Sequence, residues 1–259
     1  MRVWGVVWGG MLLLAAGAVP LVAQRPDPAE ILRATRESLG GEKKLASVVA
    51  FSATGRTRQL RGNNLVPIEF ELTVALPDKY VRTDEFPAQD TDPTTQGFVG
   101  DTLIQFPPPS VGRGNAPPPQ ARLVNAKQDF VRLTLGLFAT SFPAYPLTFT
   151  YVAEGDAPEG KADILGVTGP DNFAAQLVIQ RDTHLPVMLM WRVAGRGQTP
   201  PTDTRLYYGD FREMDGLKWP FRLRRAVAGE TVEETTFDRF RLNPKIDPKK
   251  FAQKSEVPK

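Results

Sequence analysis

The side chains that do most enzymatic chemistry are scarce in this chain. It has one histidine, His184, and no cysteine. Without cysteine there is no thiol nucleophile, no disulfide and no Cys-based zinc site. One imidazole cannot supply a three-histidine metal site or the two histidines of an HExxH helix. His184 also sits in Asp182-Thr183-His184-Leu185-Pro186, a turn sequence, where an exposed ring is expected rather than the base of a Ser-His-Asp triad. Carboxylates are the next resource. Glu69 and Glu71 share a strand face, as do Glu213 and Asp215, and two acids about 5 to 9 Å apart can hydrolyse a glycosidic bond. Where acids alternate with apolar residues, however, the acidic face is the one turned to water. Asp210, Glu213 and Asp215 gather at one hairpin end with the oxygen chemistry of a calcium site, on spacing alone. Arg222 and Arg224 alternate with Phe221 and Leu223, and Arg225, Arg239, Arg241, Lys245, Lys249 and Lys250 follow. Such residues suit phosphate or lipid headgroups; a solvated strand face explains them as well and is the reading adopted. Gly112-x-Gly114 lies among prolines and does not lead from a strand into a helix, so it is no phosphate loop. The chain is therefore assigned no catalytic residue, no metal ligand and no cofactor, and is not expected to be an enzyme.

The apolar residues are better patterned than the polar ones. Ile68, Phe70, Leu72, Val74 and Leu76 alternate with Glu69, Glu71 and Thr73, which puts one set on each face of a strand. With the turn residues Asn63-Asn64 before it and Pro77-Asp78 after it, this segment pairs with 51–62 as a hairpin, and 79–85 follows as a third strand. A strand is expected over 97–106. From 148 onward the chain reads as successive strands at 148–154, 162–168, 173–181, 187–194, 203–214, 217–227 and 231–242. Asp215-Gly216 and Ala228-Gly229-Glu230 supply hairpin turns.

Two helices interrupt this pattern. Asp27 caps the first, Pro28 fits its first position, and Gly40-Gly41 ends it. The second is expected over 125–140. Phe130, Leu133, Leu137 and Phe138 fall at helical spacing, and Lys127, Asp129 and Arg132 form its polar side. Apolar around much of its circumference, it is expected to be buried. The total is about ten or eleven strands with no βαβ alternation, hence an α+β, β-rich fold with a mostly antiparallel sheet. A helix laid in the concavity of such a sheet forms a packed core; if the helix or a neighbouring loop moves, it also forms an apolar pocket. Phe70, Leu72, Phe130, Leu133 and Leu137 are the candidate lining residues.

The amino terminus adds a destination. Met1-Arg2 precedes an apolar run from Val3 to Ala18, and small residues lead to the polar Gln24-Arg25. This is the pattern of a secretory signal peptide, expected to be cleaved after Ala23. The run is too short for a membrane span of about 20 residues, so no stable transmembrane anchor is expected after cleavage. The mature chain, 24–251 as a single domain, is then periplasmic or secreted. Its net charge, +3 with Arg2 and +2 without it, is mild, and nucleic acid is not an expected partner. Proline and glycine, 24 and 22 residues, suit a turn-rich β protein and fall short of the disordered range. Eight prolines fall between Pro87 and Pro119, and 107–120 is expected to be a mobile loop. A PxxP-type ligand segment is the alternative there. The tail from Asn243 is expected to be loosely attached, and 252–259 to be flexible.

Taken together, the exported start, the helix ending in Gly-Gly and the sheet interrupted by a buried helix form a recognisable order. Asp182-Thr183-His184-Leu185-Pro186, Tyr208-Gly209-Asp210-Phe211-Arg212, Asp215-Gly216-Leu217-Lys218-Trp219-Pro220 and Asn243-Pro244-Lys245-Ile246-Asp247 complete it. The chain resembles the outer-membrane lipoprotein-sorting proteins, the LolA-like periplasmic carriers and their relatives, most closely from about Ala174 to Phe251. The resemblance implies an open half-barrel whose mouth is plugged by helices and whose cavity takes acyl chains. It implies a carrier or binding protein for lipid, lipoprotein acyl chains or another apolar ligand. Two other readings stay open: an envelope interaction module with a protein partner and no small ligand, and a hydrolase built on the carboxylates.

Overall fold

The structure is a computed structural model that describes residues 25–108, 117–157, 159–195 and 200–252. The expected signal peptide, most of the 107–120 loop and nearly all of the 252–259 tail lie outside the described residues.

Helix α1 (Pro28–Ser38) forms where its caps direct it: Asp27 Oδ1 accepts from Ala29 N at 2.9 Å, and Pro28 takes the first turn. A short α2 (Glu42–Ser47) follows. The chain then builds β1 (Ala50–Arg61), β2 (Asn64–Ala75), β3 (Lys79–Glu85), β4 (Thr94–Val99) and β5 (Thr102–Phe106). The 20-residue α3 (Pro119–Phe138) comes next, then β6 (Thr148–Ala157), β7 (Gly160–Thr168), β8 (Ala174–Gln180) and β9 (Pro186–Val193). The last strands are β10 (Thr202–Met214), β11 (Leu217–Val227) and β12 (Glu230–Leu242), and a 3-10 helix spans Pro248–Phe251.

All 12 strands form one antiparallel sheet in the order β5-β4-β3-β2-β1-β12-β11-β10-β9-β8-β7-β6. Every neighbour is a hairpin partner except β1 and β12, which join the first and second halves of the chain at the middle of the sheet. Helix α3 carries the chain from the β5 edge to the β6 edge. It packs against β4 and β5 and also against β9 and β11, strands from both halves. The sheet therefore curls around the helix without its edges meeting, an open half-barrel with α3 in the concave face. Among the described residues no helix is long and apolar enough to cross a membrane.

The antiparallel sheet and the helix in its concavity match the expectation, with twelve strands in place of ten or eleven. The additional strand comes from 97–106, which splits into β4 and β5 at Gly100, whose φ of 56° supplies the left-handed residue a tight turn requires. Helix α3 starts six residues earlier than the expected Asn125. Pro119 sits in its first turn, where a missing N–H costs nothing, so the proline run ends inside the helix. The helix stops at Ala139, whose φ is 46°.

One end of the half-barrel is solid. Trp219 is fully buried, with ring centroids 5.2 Å from Phe51, 5.3 Å from Phe138 and 5.2 Å from Phe240. Leu32, Leu39 and Leu45 of the first two helices and their linker pack onto this cluster. Leu39 O accepts from Lys218 N at 2.8 Å, and Arg36 reaches Ala139 O, so α1 is bound to both the sheet and the end of α3. The segment after β12 is held more firmly than expected. Asn243 Oδ1 accepts from Val49 N at 2.8 Å and Ala50 N at 3.2 Å, and its amide donates to Ser47 O at 2.9 Å.

Candidate functional site

Toward the other end the half-barrel is hollow. A cavity of about 1180 Å³ lies between the middle of α3 and the sheet. It is created by the composition of the helix. Asn125, Gln128, Asp129 and Arg132 follow one another at helical spacing, so a polar stripe runs along one side of α3. These four residues border the cavity, whereas Phe130, Leu135, Leu137 and Phe138 are buried in the core. A polar stripe cannot pack against apolar strands without stranding its hydrogen-bonding groups. It faces the hollow instead, and the sheet opposite it carries matching polar residues.

Those residues come from the concave faces of five strands: Thr57 and Gln59 on β1, Arg82 and Asp84 on β3, Thr204 on β10, Arg225 on β11, and Glu233 and Thr235 on β12. The register places Thr57 opposite Thr235 and Gln59 opposite Glu233, and it places Glu233 opposite Arg225. The groups bond accordingly. The Thr57 and Thr235 hydroxyls are 2.8 Å apart, and Arg82 donates to Thr57 Oγ1 at 3.1 Å and to Asp84 Oδ1 at 2.7 Å. Gln59 Nε2 and Arg225 Nη2 both donate to Glu233 Oε2, at 3.0 and 2.7 Å. On the helix, Arg132 donates to Asp129 Oδ1 at 2.7 Å and to Gln128 Oε1 at 2.9 Å. Two rings support the guanidinium groups: Arg82 lies 4.4 Å from the Phe70 centroid and Arg132 lies 4.6 Å from that of Trp191.

Enclosure shifts the titrations. Burial raises the Asp129 carboxyl above its ordinary range, and the pairing with Arg132 only partly offsets this. Its side chain is 59% accessible, but it opens into the cavity, where protein surrounds it. Burial pulls the Arg82 guanidinium down, and the charge of Asp84 and the hydrogen bond to it outweigh that effect, so it stays protonated. Burial also raises the Tyr80 phenol.

The apolar wall of the cavity is formed by Ile68, Phe70 and Leu72 on β2, Leu133 on α3, Leu206, Leu223 and Phe237. Of the five lining candidates from the sequence, Phe70, Leu72 and Leu133 border the hollow. Phe130 lies instead among Tyr80, Phe98 and Phe142, with centroids 6.0, 5.6 and 5.9 Å away, and Leu137 is fully buried in the core. Phe130 and Leu137, two turns apart, lie at the centre of the apolar face of α3, and Leu133 lies at the border of that face, one turn on from Asp129 of the polar stripe. The charged lining was not assigned from the sequence. Its visible signal was the polar side of an otherwise apolar helix, to which no cavity was assigned.

Of the charged sequence candidates only Arg225 borders the cavity; the following lie away from it. Glu69 and Glu71 are exposed on the convex face, where Glu71 pairs with Lys250 at 2.6 Å. Arg222 pairs with Glu234, and Arg224 lies over the Tyr207 ring at 4.2 Å. Asp210 pairs with Arg212, and His184 is exposed at a turn with φ of 54°. Among the described residues no group of three or more acidic or histidine side chains could hold a metal ion.

A curled antiparallel sheet wrapped around one helix, with a hollow between them, defines an open half-barrel. The fold is that of the LolA-like proteins. A LolA superfamily protein of Nitrosomonas europaea superimposes with a TM-score of 0.57 at 13% identity, covering 87% of this chain and 97% of the other. An outer-membrane lipoprotein-sorting protein domain of Vibrio parahaemolyticus gives 0.52 at 10% identity, with 87% and 97% coverage. No family model matches the chain, and no curated protein sequence does either. The likeness is one of fold.

Proposed function

We propose that this protein is a carrier or binding protein of the bacterial envelope that takes an apolar or amphiphilic ligand into the cavity of its half-barrel. The observation that carries this reading is the cavity itself. Its volume of about 1180 Å³ lies somewhat above the range of about 300–1,000 Å³ usual for small-molecule sites. Phe70 and Leu72 on the sheet and Leu133 on α3 are among its apolar lining residues. Burying an acyl chain there would contribute about 0.8 kcal/mol per CH₂. The export signal read from the amino terminus supports a periplasmic location, and the likeness to LolA-like folds supports carriage over catalysis.

Native mass spectrometry tests the reading on protein purified from the periplasm without detergent. A lipid-mass adduct is expected. It should disappear in Leu133→Glu and Phe70→Glu while far-ultraviolet circular dichroism is unchanged. An apo mass together with no uptake of a fluorescent fatty acid would overturn it. The surface to examine would then be the open edge at β6, whose ten residues alternate in exposure and carry the exposed Val152.

A further inference from the structure

Three donors on the cavity wall are buried and have no partner among the described residues: Nε of Arg132, Nε of Arg225 and the hydroxyl of Thr204. They form one patch. Thr204 lies opposite Trp191 on β9 and opposite Val227 on β11, one same-face step from Arg225. Arg132 descends from α3 onto the Trp191 ring. Thr204 is only 2% exposed, so its hydroxyl has no access to bulk solvent. Buried donors of this kind are rare, and each one without a partner needs an explanation.

The acceptors nearby are already engaged. Asp84, Asp129 and Glu233 each accept from an arginine in the same cavity. Those bonds also fix the guanidinium groups through their other nitrogens. Four arginines (Arg61, Arg82, Arg132 and Arg225) face these three carboxylates along the lining, and Arg192 at its rim pairs with Asp203 at 2.9 Å, so the wall carries one positive charge in excess. A group that completes this patch must bring acceptors and negative charge. A cationic headgroup would meet arginines and carboxylates that are already paired.

We propose that the cavity recognises an anionic amphiphile, with a carboxylate or phosphate held by Arg132, Arg225 and Thr204 and the apolar portion against the wall of Phe70 and Leu133. This rests on the carrier reading above and narrows it to a chemical class. Planar guanidinium groups and a hydroxyl suit both anions, and charge-assisted hydrogen bonds are the strong ones.

The test is displacement of the neutral reporter N-phenyl-1-naphthylamine from the full chain. Its competitors share one chain length and differ in headgroup: dodecanoate, dodecyl phosphate, methyl dodecanoate and dodecylamine. One or both anions should displace the reporter at concentrations about tenfold or more below those of the ester and the amine, the scale of one added charge-assisted bond. Thr204→Val and Arg225→Gln should bring the anions down to the level of the ester and leave the ester unchanged. The headgroup series on the unaltered protein stands even if a variant fails to fold. Equal displacement by all four, or preference for the amine, would overturn the anionic assignment and leave the carrier reading intact. Failure of the reporter and all four competitors to bind would overturn both. Inorganic phosphate separates two sources of the same chemistry. Competition with dodecyl phosphate at millimolar concentration would mark a free anion as sufficient, and absence of competition would mark the lipid headgroup as the ligand.

Discussion

The ring of Tyr208 lies against the bare α-carbon of Gly136, and its hydroxyl donates to Arg132 O one turn earlier on α3, at 2.5 Å. A Cβ at Gly136 would collide with that ring. The glycine therefore fixes how closely the helix approaches β10, and through it where Arg132 enters the cavity. Gly136→Ala gains about 1 kcal/mol of helix propensity against about 1–3 kcal/mol of overpacking. A net loss of up to about 2 kcal/mol is expected, read as a lower urea midpoint with an unchanged slope. Tyr208→Phe keeps the ring and removes the hydrogen bond, and should cost about 1 kcal/mol.

Trp219 carries the solid end of the half-barrel, packed edge-on against Phe51, Phe138 and Phe240, and its indole N–H has no partner among the described residues. Trp219→Ala leaves a large void and should cost about 3–5 kcal/mol. Trp219→Phe keeps most of the contact and removes an unsatisfied donor, so its loss should stay below about 1.5 kcal/mol. Chemical denaturation of the two variants checks the contrast, and equal losses would show that the indole nitrogen contributes to stability.

Much of the sheet was legible because period-two alternation reports burial directly. Ile68, Phe70, Leu72 and Val74 are buried between exposed Glu69 and Glu71. The β4–β5 hairpin was missed because one glycine, Gly100, makes its turn and no proline or asparagine marks it. The charged cavity was illegible for a different reason. Hydrophobic periodicity separates buried from polar, but it cannot tell polar side chains facing bulk water from those facing an enclosed hollow. Asp129 and Arg132 look the same in either place. Arg225 was grouped with Arg222 and Arg224 by sequence, yet strand parity sends it to the concave face with Leu223.

Asn243 holds the segment after β12 to the start of β1 through three hydrogen bonds while adopting φ of 46°, a conformation asparagine tolerates better than most residues. Asn243→Ala loses the bonds and keeps the backbone strain. The position is exposed, so water replaces part of the loss, and about 1–2 kcal/mol is expected. Amide hydrogen exchange should rise first at Val49 and Ala50, whose N–H groups the side chain accepts. Unchanged protection there would mean the backbone pairing of β1 with β12 suffices.

Asp129 makes stability depend on pH in a direction opposite to that of most paired carboxylates. Burial raises its pKa in the folded protein, so the folded state holds the proton more tightly than the unfolded chain. Below the ordinary carboxylate range both states are protonated and the residue carries no electrostatic penalty. As pH rises from that range through the raised folded value, the unfolded chain ionises more readily and stability is lost. Above it the loss is constant. The amide introduced by Asp129→Asn cannot titrate, so the stability of this variant relative to the unaltered protein should rise across the window and then level off. Arg132 and Arg225 oppose the shift and Glu233 adds to it, so Glu233→Gln should narrow the window. Urea unfolding of the parent and both variants over a pH series gives the comparison. A relative stability that fell with rising pH would mean that pairing with Arg132 outweighs enclosure, and that the carboxylate is held as an ordinary ion pair.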